Sequence, residues 1–233
     1  MFEAKAILPV ITLLIGVYLA PYIEKRKNKA KAKEIYDNLK LELNDEIEEL
    51  PNRLKKFASC LDNLTYWEEK NEPKTNQFWY YIPRETNCYF LNSAIENSFQ
   101  LLTKEQRYAA KSLQTQLVAL VDYCLEIKEN EEVSKENRAL LKNCYKRYLF
   151  TGCCALNTMR ILVGDSKRIT GKSDKEIIDE IFSVIGIKFA AKDLHITCRV
   201  PDDQMSYRSY PLLAAKELLH QFIREQGYGH QAT

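Results

Sequence analysis

The sequence AILPVITLLIGVYLAPYI, residues 6–23, has no charged side chain, and the interpretation of the whole chain depends on it. These 18 residues would form a helix about 27 Å long, close to the thickness of a bilayer's hydrocarbon core. A buried core helix would be amphipathic, and a helix lying in the interface would have a polar face. This run has neither pattern, so we predict a single transmembrane helix.

The charges around this run predict its orientation. Residues 24–33, EKRKNKAKAK, hold six basic residues and one acid, whereas Lys5 is opposed by Glu3 before the run. A cleaved signal peptide would carry its positive charge before the apolar stretch. Basic residues favour the cytoplasmic side, so residues 1–5 should lie outside and the remainder in the cytoplasm, at the cell membrane. The predicted membrane-anchoring residues are Leu8, Ile11, Leu14, Ile15, Val17 and Leu19, and the predicted lipid headgroup contacts are Lys25, Arg26, Lys27, Lys29 and Lys31.

Residues 24–70 are predicted to form a basic juxtamembrane segment followed by an amphipathic helical stalk. Their apolar residues recur every three or four positions, as in a heptad seam. Pro51 lies inside the pattern, so we expect a kink or two helices meeting there. The seam would pack either on the chain's own domain or on a second copy or partner, and the pattern alone leaves both open. Its residues are Leu43, Ile47, Leu50, Leu54, Phe57 and Leu61.

Residues 71–90 form a predicted aromatic loop with prolines at positions 73 and 83. Its aromatic side chains would either close over the core as a lid or serve as a recognition surface. A surface that stacks nucleotides also needs positive charge, and this loop has only two basic residues, Lys74 and Arg84. We therefore favour the lid.

Residues 91–227 are predicted to form a mainly helical domain, followed by a flexible tail at 228–233. Thr103 and Gln106 have capping-box spacing, as do Ser173 and Glu176, so helices should begin at both places. Ser134 is predicted to cap the helix between them, which we expect to be the central core helix, bent at Gly152. Alternation in residues 187–200 predicts a small β-hairpin, with His195 exposed. The predicted class is therefore mainly α, with one transmembrane helix and this hairpin.

The charge distribution limits the classes of partner that we expect, and the cysteine content indicates the state of the thiols. Residues 1–33 carry a charge of +5, which leaves −3 for the other 200 residues. A slightly acidic domain is a poor nucleic-acid binder, so we expect no nucleic-acid partner, and the basic block should contact anionic lipid. The seven cysteines have no CxxC spacing, which favours reduced, mostly buried thiols.

The motifs of catalysis and metal binding are missing from the sequence. It has no GxSxG, no HExxH and no cluster of zinc-ligand residues, and its seven glycines do not form a phosphate-cradling loop. We therefore predict no catalytic residues, no metal site and no cofactor, and expect that the protein is not an enzyme. Residues 164–173 resemble a P-loop only loosely, because six residues rather than four separate their glycines. A phosphate contact there would use Arg168, Lys172 and Ser173.

These observations favour a membrane-anchored interaction protein that holds a helical domain at the inner face of the membrane and binds a protein partner. One alternative is a membrane-perturbing effector of a bacterial stress or phage-defence system that acts by homo-oligomerisation, an analogy of architecture alone. Another is a nucleotide sensor that uses residues 164–173.

Overall fold

The computed structural model describes residues 4–70, 81, 86, 88–130, 133–165 and 173–194, without the side chains of residues 4–12 and 14. Within these ranges the chain is mainly helical and contains no strand, which confirms the predicted mainly α class. Two short 3-10 helices, Phe99–Leu101 and Ala191–Leu194, accompany the longer helices. The α-helices are α1 (Ala4–Lys70), α2 (Tyr89–Asn97), α3 (Lys104–Glu129), α4 (Arg138–Val163) and α5 (Asp174–Ile185).

Helix α1 contains 67 residues and is about 100 Å long, so the apolar run, the basic block and the amphipathic segment share one helix. Of the two outcomes predicted at Pro51, a kink or two helices meeting there, the second is wrong, because α1 is continuous. A proline inside a helix costs about 3 kcal/mol because it removes a hydrogen bond and crowds the preceding turn. Here the neighbouring Leu50 and Leu54 are fully buried, and their packing offsets that cost.

Among the described residues, no helix is both long enough and apolar enough to cross a membrane. The transmembrane helix over residues 6–23 therefore stays a prediction.

Hydrogen bonds at the two ends of the bundle show how its helices run. Tyr36 Oη donates to Leu162 O at 3.2 Å, and Arg138 Nη1 donates to Trp67 O at 3.3 Å, so α4 runs antiparallel to α1. Gln106 Nε2 donates to Tyr36 Oη at 2.8 Å, which places the start of α3 beside the same part of α1. We call the end near Tyr36 the proximal end and the end near Trp67 the distal end.

Helix α4 lies at the centre of the bundle, as predicted, and packs on α1, α3 and α5. Helix α4 continues without a break through Gly152, where the sequence predicts a bend. Gly152 lets α1 come close, because a Cβ there would be 2.7 Å from Leu54 Cδ2. One turn away on each helix, the ring of Phe57 stacks on Tyr148, with centroids 3.8 Å apart and planes at 3°.

Two described residues of the predicted aromatic loop are attached to α1. Tyr81 packs edge-to-face against Phe57, with ring centroids 5.7 Å apart. The buried Arg53 donates hydrogen bonds from Nη1 to the buried hydroxyl of Thr86 and from Nη2 to Glu46. Tyr81 packs as the lid interpretation predicts, whereas Tyr89 and Phe90, the other described aromatic residues of the predicted loop, are 79% and 37% exposed. The loop is shorter than predicted, because α2 begins at Tyr89.

The predicted helix starts are confirmed at Thr103 and Ser173, where both halves of each capping box are present. The prediction at Ser134 is wrong. Helix α4 begins after Asn137, and Ser134 Oγ instead accepts the N–H groups of residues 136 and 137 in the preceding turn.

The strand predicted near the C-terminus is not present over its described part. Residues 187–190 have no regular structure, and Ala191–Leu194 form the second 3-10 helix, with Leu194 buried against the core. Residues 195–233, which include His195, the second half of the predicted hairpin and the predicted tail, lie outside the described residues.

Six cysteines lie within the described residues, and each is a thiol outside any disulfide. Two of them, Cys88 and Cys154, are half-buried, and Cys198 lies outside the described residues. The four buried ones are Cys60, Cys124, Cys144 and Cys153.

The contact between Gly152 and Leu54 leads to the first prediction. Leu54→Ala should cost about 2–5 kcal/mol of unfolding free energy because it opens a cavity. Gly152→Ala should cost at least about 1 kcal/mol less in that background than in the native chain, because the new methyl group then has room. Urea unfolding of the full chain in detergent, followed by circular dichroism, measures this double-mutant cycle.

The matched control is Gly16→Ala, whose added Cβ would meet no atom within 4 Å. This substitution should show no coupling to Leu54→Ala. If the effects at positions 152 and 54 add within about 0.5 kcal/mol, the proposed close approach of α1 and α4 is contradicted.

Candidate functional site

A groove of about 580 Å³ lies where α3, α4 and α5 meet. Its apolar lining includes Ala109 on α3, Ile161 on α4 and Ile177, Ile181 and Val184 on α5. Val184 is 73% exposed, which is a large fraction for an apolar residue in a helix that packs on a core. We call this feature the α3–α5 groove. An apolar surface with open access is the kind of site that takes a ligand or a partner side chain.

Local sequence signals at the ends of α4 and α5 shape this groove. Gly164 ends α4 in a left-handed conformation, with φ at +93°, which a glycine adopts without strain. The Ser173 capping box then begins α5. The side chains of Ile178 and Phe182 pack into the core, so the neighbouring residues Ile177 and Val184 are left at the groove.

Acidic side chains predominate around the groove. Its described lining includes the carboxylates of Glu105, Asp165, Asp174 and Glu180 and one basic side chain, that of Arg160. Hydrogen bonds from its own backbone N–H and from the Thr103 hydroxyl lower the pKa of Glu105, so this carboxylate is ionised at neutral pH. The groove is thus suited to a cationic ligand.

The chemistry of Cys154, the thiol at the groove, does not favour nucleophilic catalysis. Burial, together with the carboxylate of Asp174, raises the pKa of the Cys154 thiol to about 12. A nucleophilic cysteine needs its thiolate, which a positive neighbour or a helix N-terminus stabilises. Cys154 instead lies half-buried near a negative carboxylate, which disfavours its thiolate. Among the described residues, no group of histidine, cysteine and carboxylate side chains could hold a metal ion.

The predicted site residues are distributed over separate parts of the molecule. The predicted anchoring residues Ile15, Val17 and Leu19 are exposed on α1, and the side chains of Leu8, Ile11 and Leu14 lie outside the description. The five predicted headgroup contacts, Lys25, Arg26, Lys27, Lys29 and Lys31, are all exposed on the same helix. None of these side chains lies at the α3–α5 groove.

The predicted seam lies inside the bundle. Ile47 is partly buried, and Leu43, Leu50, Leu54, Phe57 and Leu61 have exposed fractions of 1% or less. These residues pack on the chain's own helices, which is the first of the two alternatives that the sequence left open. The seam is therefore not a free surface for a second copy, because its side chains already fill the core.

The predicted phosphate contact is only partly described. Arg168 and Lys172 lie outside the described residues, and Ser173 is occupied by the capping box of α5. The described lining of the nearby α3–α5 groove is mainly acidic, which does not favour a phosphate group there.

The sequence reasoning did not identify the groove. Its residues come from three helices that are far apart in the chain, so no local spacing connects them. The signals that could have suggested it were small: Ile177 and Val184 are apolar positions beside the predicted buried face of α5, and acidic residues occur at the start of α3 and α5.

Comparison of the chain with protein-family models, with curated proteins and with solved structures finds no match.

The environment of Cys154 gives the second prediction. With a pKa of about 12, the thiol ionises only far above neutral pH, so its alkylation by iodoacetamide at pH 8 should be at least about a hundredfold slower than in urea-unfolded chain. The rate should keep rising about tenfold per pH unit up to pH 10, whereas an ordinary cysteine levels off near its pKa of about 8.5. Peptide mass spectrometry resolves Cys154 from the other thiols, and a rate that levels off near pH 8.5 would contradict the assignment.

Proposed function

We propose that this protein is a membrane-anchored interaction protein, in which α1 holds a helical domain at the inner face of the cell membrane and the α3–α5 groove binds a protein partner. The observation that carries the partner-binding half is the groove itself, with its apolar lining and four carboxylates. The partner segment that fits is a basic amphipathic helix, which would place apolar side chains in the groove and lysines or arginines on its rim.

The anchoring half of the proposal rests on the first part of α1. The run at residues 6–23 has no charge, and its described apolar side chains Leu13, Val17 and Ile23 are 68%, 65% and 48% exposed. Large exposed apolar side chains along one helix need an apolar environment, and a bilayer supplies one. The orientation with the N-terminus outside follows from the basic residues after the run.

An oligomeric membrane-perturbing effector receives less support. The seam that would have assembled it is buried in the core of the bundle, so it is not available to join two copies. Nucleotide sensing is likewise not supported, because the groove beside residues 164–173 is acidic.

The third prediction tests the groove. A synthetic amphipathic helix of lysine and leucine should bind the full chain in nanodiscs, and Asp174→Asn with Glu180→Gln should weaken that binding at least about tenfold, because two attractive charges are lost. The matched control is Asp122→Asn with Glu129→Gln, which removes two exposed acids of α3 outside the groove. Titration calorimetry measures both.

A second matched pair tests the apolar lining. Val184→Asp should abolish binding of the peptide, and Val118→Asp, which changes a 59% exposed valine of α3 outside the groove, should leave it within about twofold. Equal losses in the groove and control variants would mean that the peptide binds by net charge alone, and the groove proposal would be abandoned.

The fourth prediction tests the anchor and its orientation. A reporter fused after Thr233 should be active in the cytoplasm, and one fused before Met1 should be active outside. Replacing Lys25, Arg26, Lys27, Lys29, Lys31 and Lys33 with glutamine should mix the two orientations, because the basic excess sets them. A native C-terminal reporter found outside the cell would contradict this topology.

A further inference from the structure

We infer that a second surface of the bundle, formed by Phe99, Leu101, Lys104, Arg107 and Lys111, lies against an anionic lipid bilayer. This inference rests on the proposed membrane anchor and adds a lipid-binding surface that is separate from the basic block of α1. We call it the proximal patch.

The patch combines positive charge with apolar groups at one place. The Arg107 guanidinium lies 5.5 Å and the Lys111 ammonium 5.7 Å from the ring centroid of Phe99, so both cations make cation–π contacts with the same ring. Lys104, Arg107 and Lys111 follow each other at spacings of three and four and therefore share one face of α3. Leu101, in the neighbouring 3-10 helix, is 36% exposed.

The bundle's hydrogen bonds place this patch at the end where α1 enters. Ser98 Oγ donates to Ala32 O at 2.7 Å, and Gln106 Nε2 donates to Tyr36 Oη at 2.8 Å. The patch therefore lies beside residues 32–36 of α1, immediately after the basic block. Along the helix axis, Tyr36 is about 20 Å beyond Ile23, where the apolar run ends.

This distance brings the patch close to the membrane surface. The headgroup layer beyond the hydrocarbon core is about 5–8 Å thick, and the attraction of an anionic leaflet extends about one Debye length further, some 8–10 Å. Long lysine and arginine side chains reach the remaining few ångströms.

The composition of the patch favours lipid over a protein surface as its occupant. Residues 104–111 hold three basic residues and a single acid, Glu105, which lines the α3–α5 groove. Cations interleaved with an exposed leucine and an aromatic ring are typical of helices that lie on anionic bilayers. The six exposed cations of residues 25–33 precede this level of α1 on the side of the predicted membrane helix, so the leaflet would meet positive charge from both the basic block and the patch.

The experiment is photo-crosslinking of the full chain in nanodiscs, with p-benzoylphenylalanine placed at Leu101, Leu125 or Ile15. Leu125 is 48% exposed on α3 and lies about 32 Å along that helix from Lys104, the first patch residue on it, so it reports on the distal end. Nanodiscs contain phosphatidylcholine alone or with about 30% phosphatidylserine, and lipid adducts are counted by mass spectrometry. We expect adducts at Leu101 at least about fivefold more abundant with phosphatidylserine, and none at Leu125.

Variants then identify the charges responsible. A triple variant that removes the charges of the patch should reduce the adducts at Leu101 at least about fivefold. Its substitutions are Lys104→Gln, Arg107→Gln and Lys111→Gln. The control removes three exposed lysines away from the patch, Lys128→Gln with Lys135→Gln and Lys175→Gln, and should leave the adducts unchanged. Raising the salt concentration from about 0.05 M to about 0.5 M should reduce the adducts at Leu101 to the same extent without these substitutions, because salt screens the attraction between the patch and the lipid.

The site at Ile15 separates failure of the patch from failure of the anchor. Adducts at Ile15 without adducts at Leu101, or equal yields at Leu101 in the two lipid mixtures, would overturn the patch and leave the anchor standing. No adducts at Ile15 in either mixture would overturn the anchor and the patch together.

Discussion

The close approach of α1 and α4 at Gly152 is the constraint on which the rest of the bundle depends. Because Gly152 has no side chain, Leu54 occupies the space beside the α4 backbone, and Phe57 can then stack on Tyr148 one turn away. Phe57 also meets Tyr145 edge-to-face at 5.4 Å and Tyr81 at 5.7 Å. One aromatic ring thus joins the long helix, the central helix and the chain that leads into α2.

Local signals in the sequence were enough to predict the helices and several of their ends. A capping box needs only two residues three positions apart, so the starts of α3 and α5 at Thr103 and Ser173 could be predicted without knowing what surrounds them. The seam of α1 was also identified residue by residue. What a periodic pattern does not contain is the identity of its partner, and here the partner is α4 of the same chain.

The features that could not be predicted depend on contacts between distant residues. Local rules favoured a break at Pro51, but the burial of Leu50 and Leu54 on either side keeps α1 continuous. Alternation favoured a strand that includes Leu194, but this residue is buried in a 3-10 helix that packs on α4 and α5. The α3–α5 groove combines residues from 105 to 184, and its acidic character appears only when three helices are brought together.

Helix α3 carries two surfaces of opposite charge, and the angle between them relates the proposed partner-binding groove to the proposed lipid-binding patch. Successive residues of a helix are about 100° apart around its axis. On this basis the basic face of α3, formed by Lys104, Arg107 and Lys111, points about 140° away from the face that lines the groove. The groove face is formed by Glu105, Ala109, Ser112 and Gln116. A bilayer that attracts the first surface repels the acidic rim of the second, so both charges favour the same orientation of the bundle. Because α1 continues without a break from the bundle into the basic block, this orientation would be transmitted to the anchor through a helix rather than through a flexible linker. In that arrangement the groove stays open to a soluble partner while the proximal patch lies on lipid.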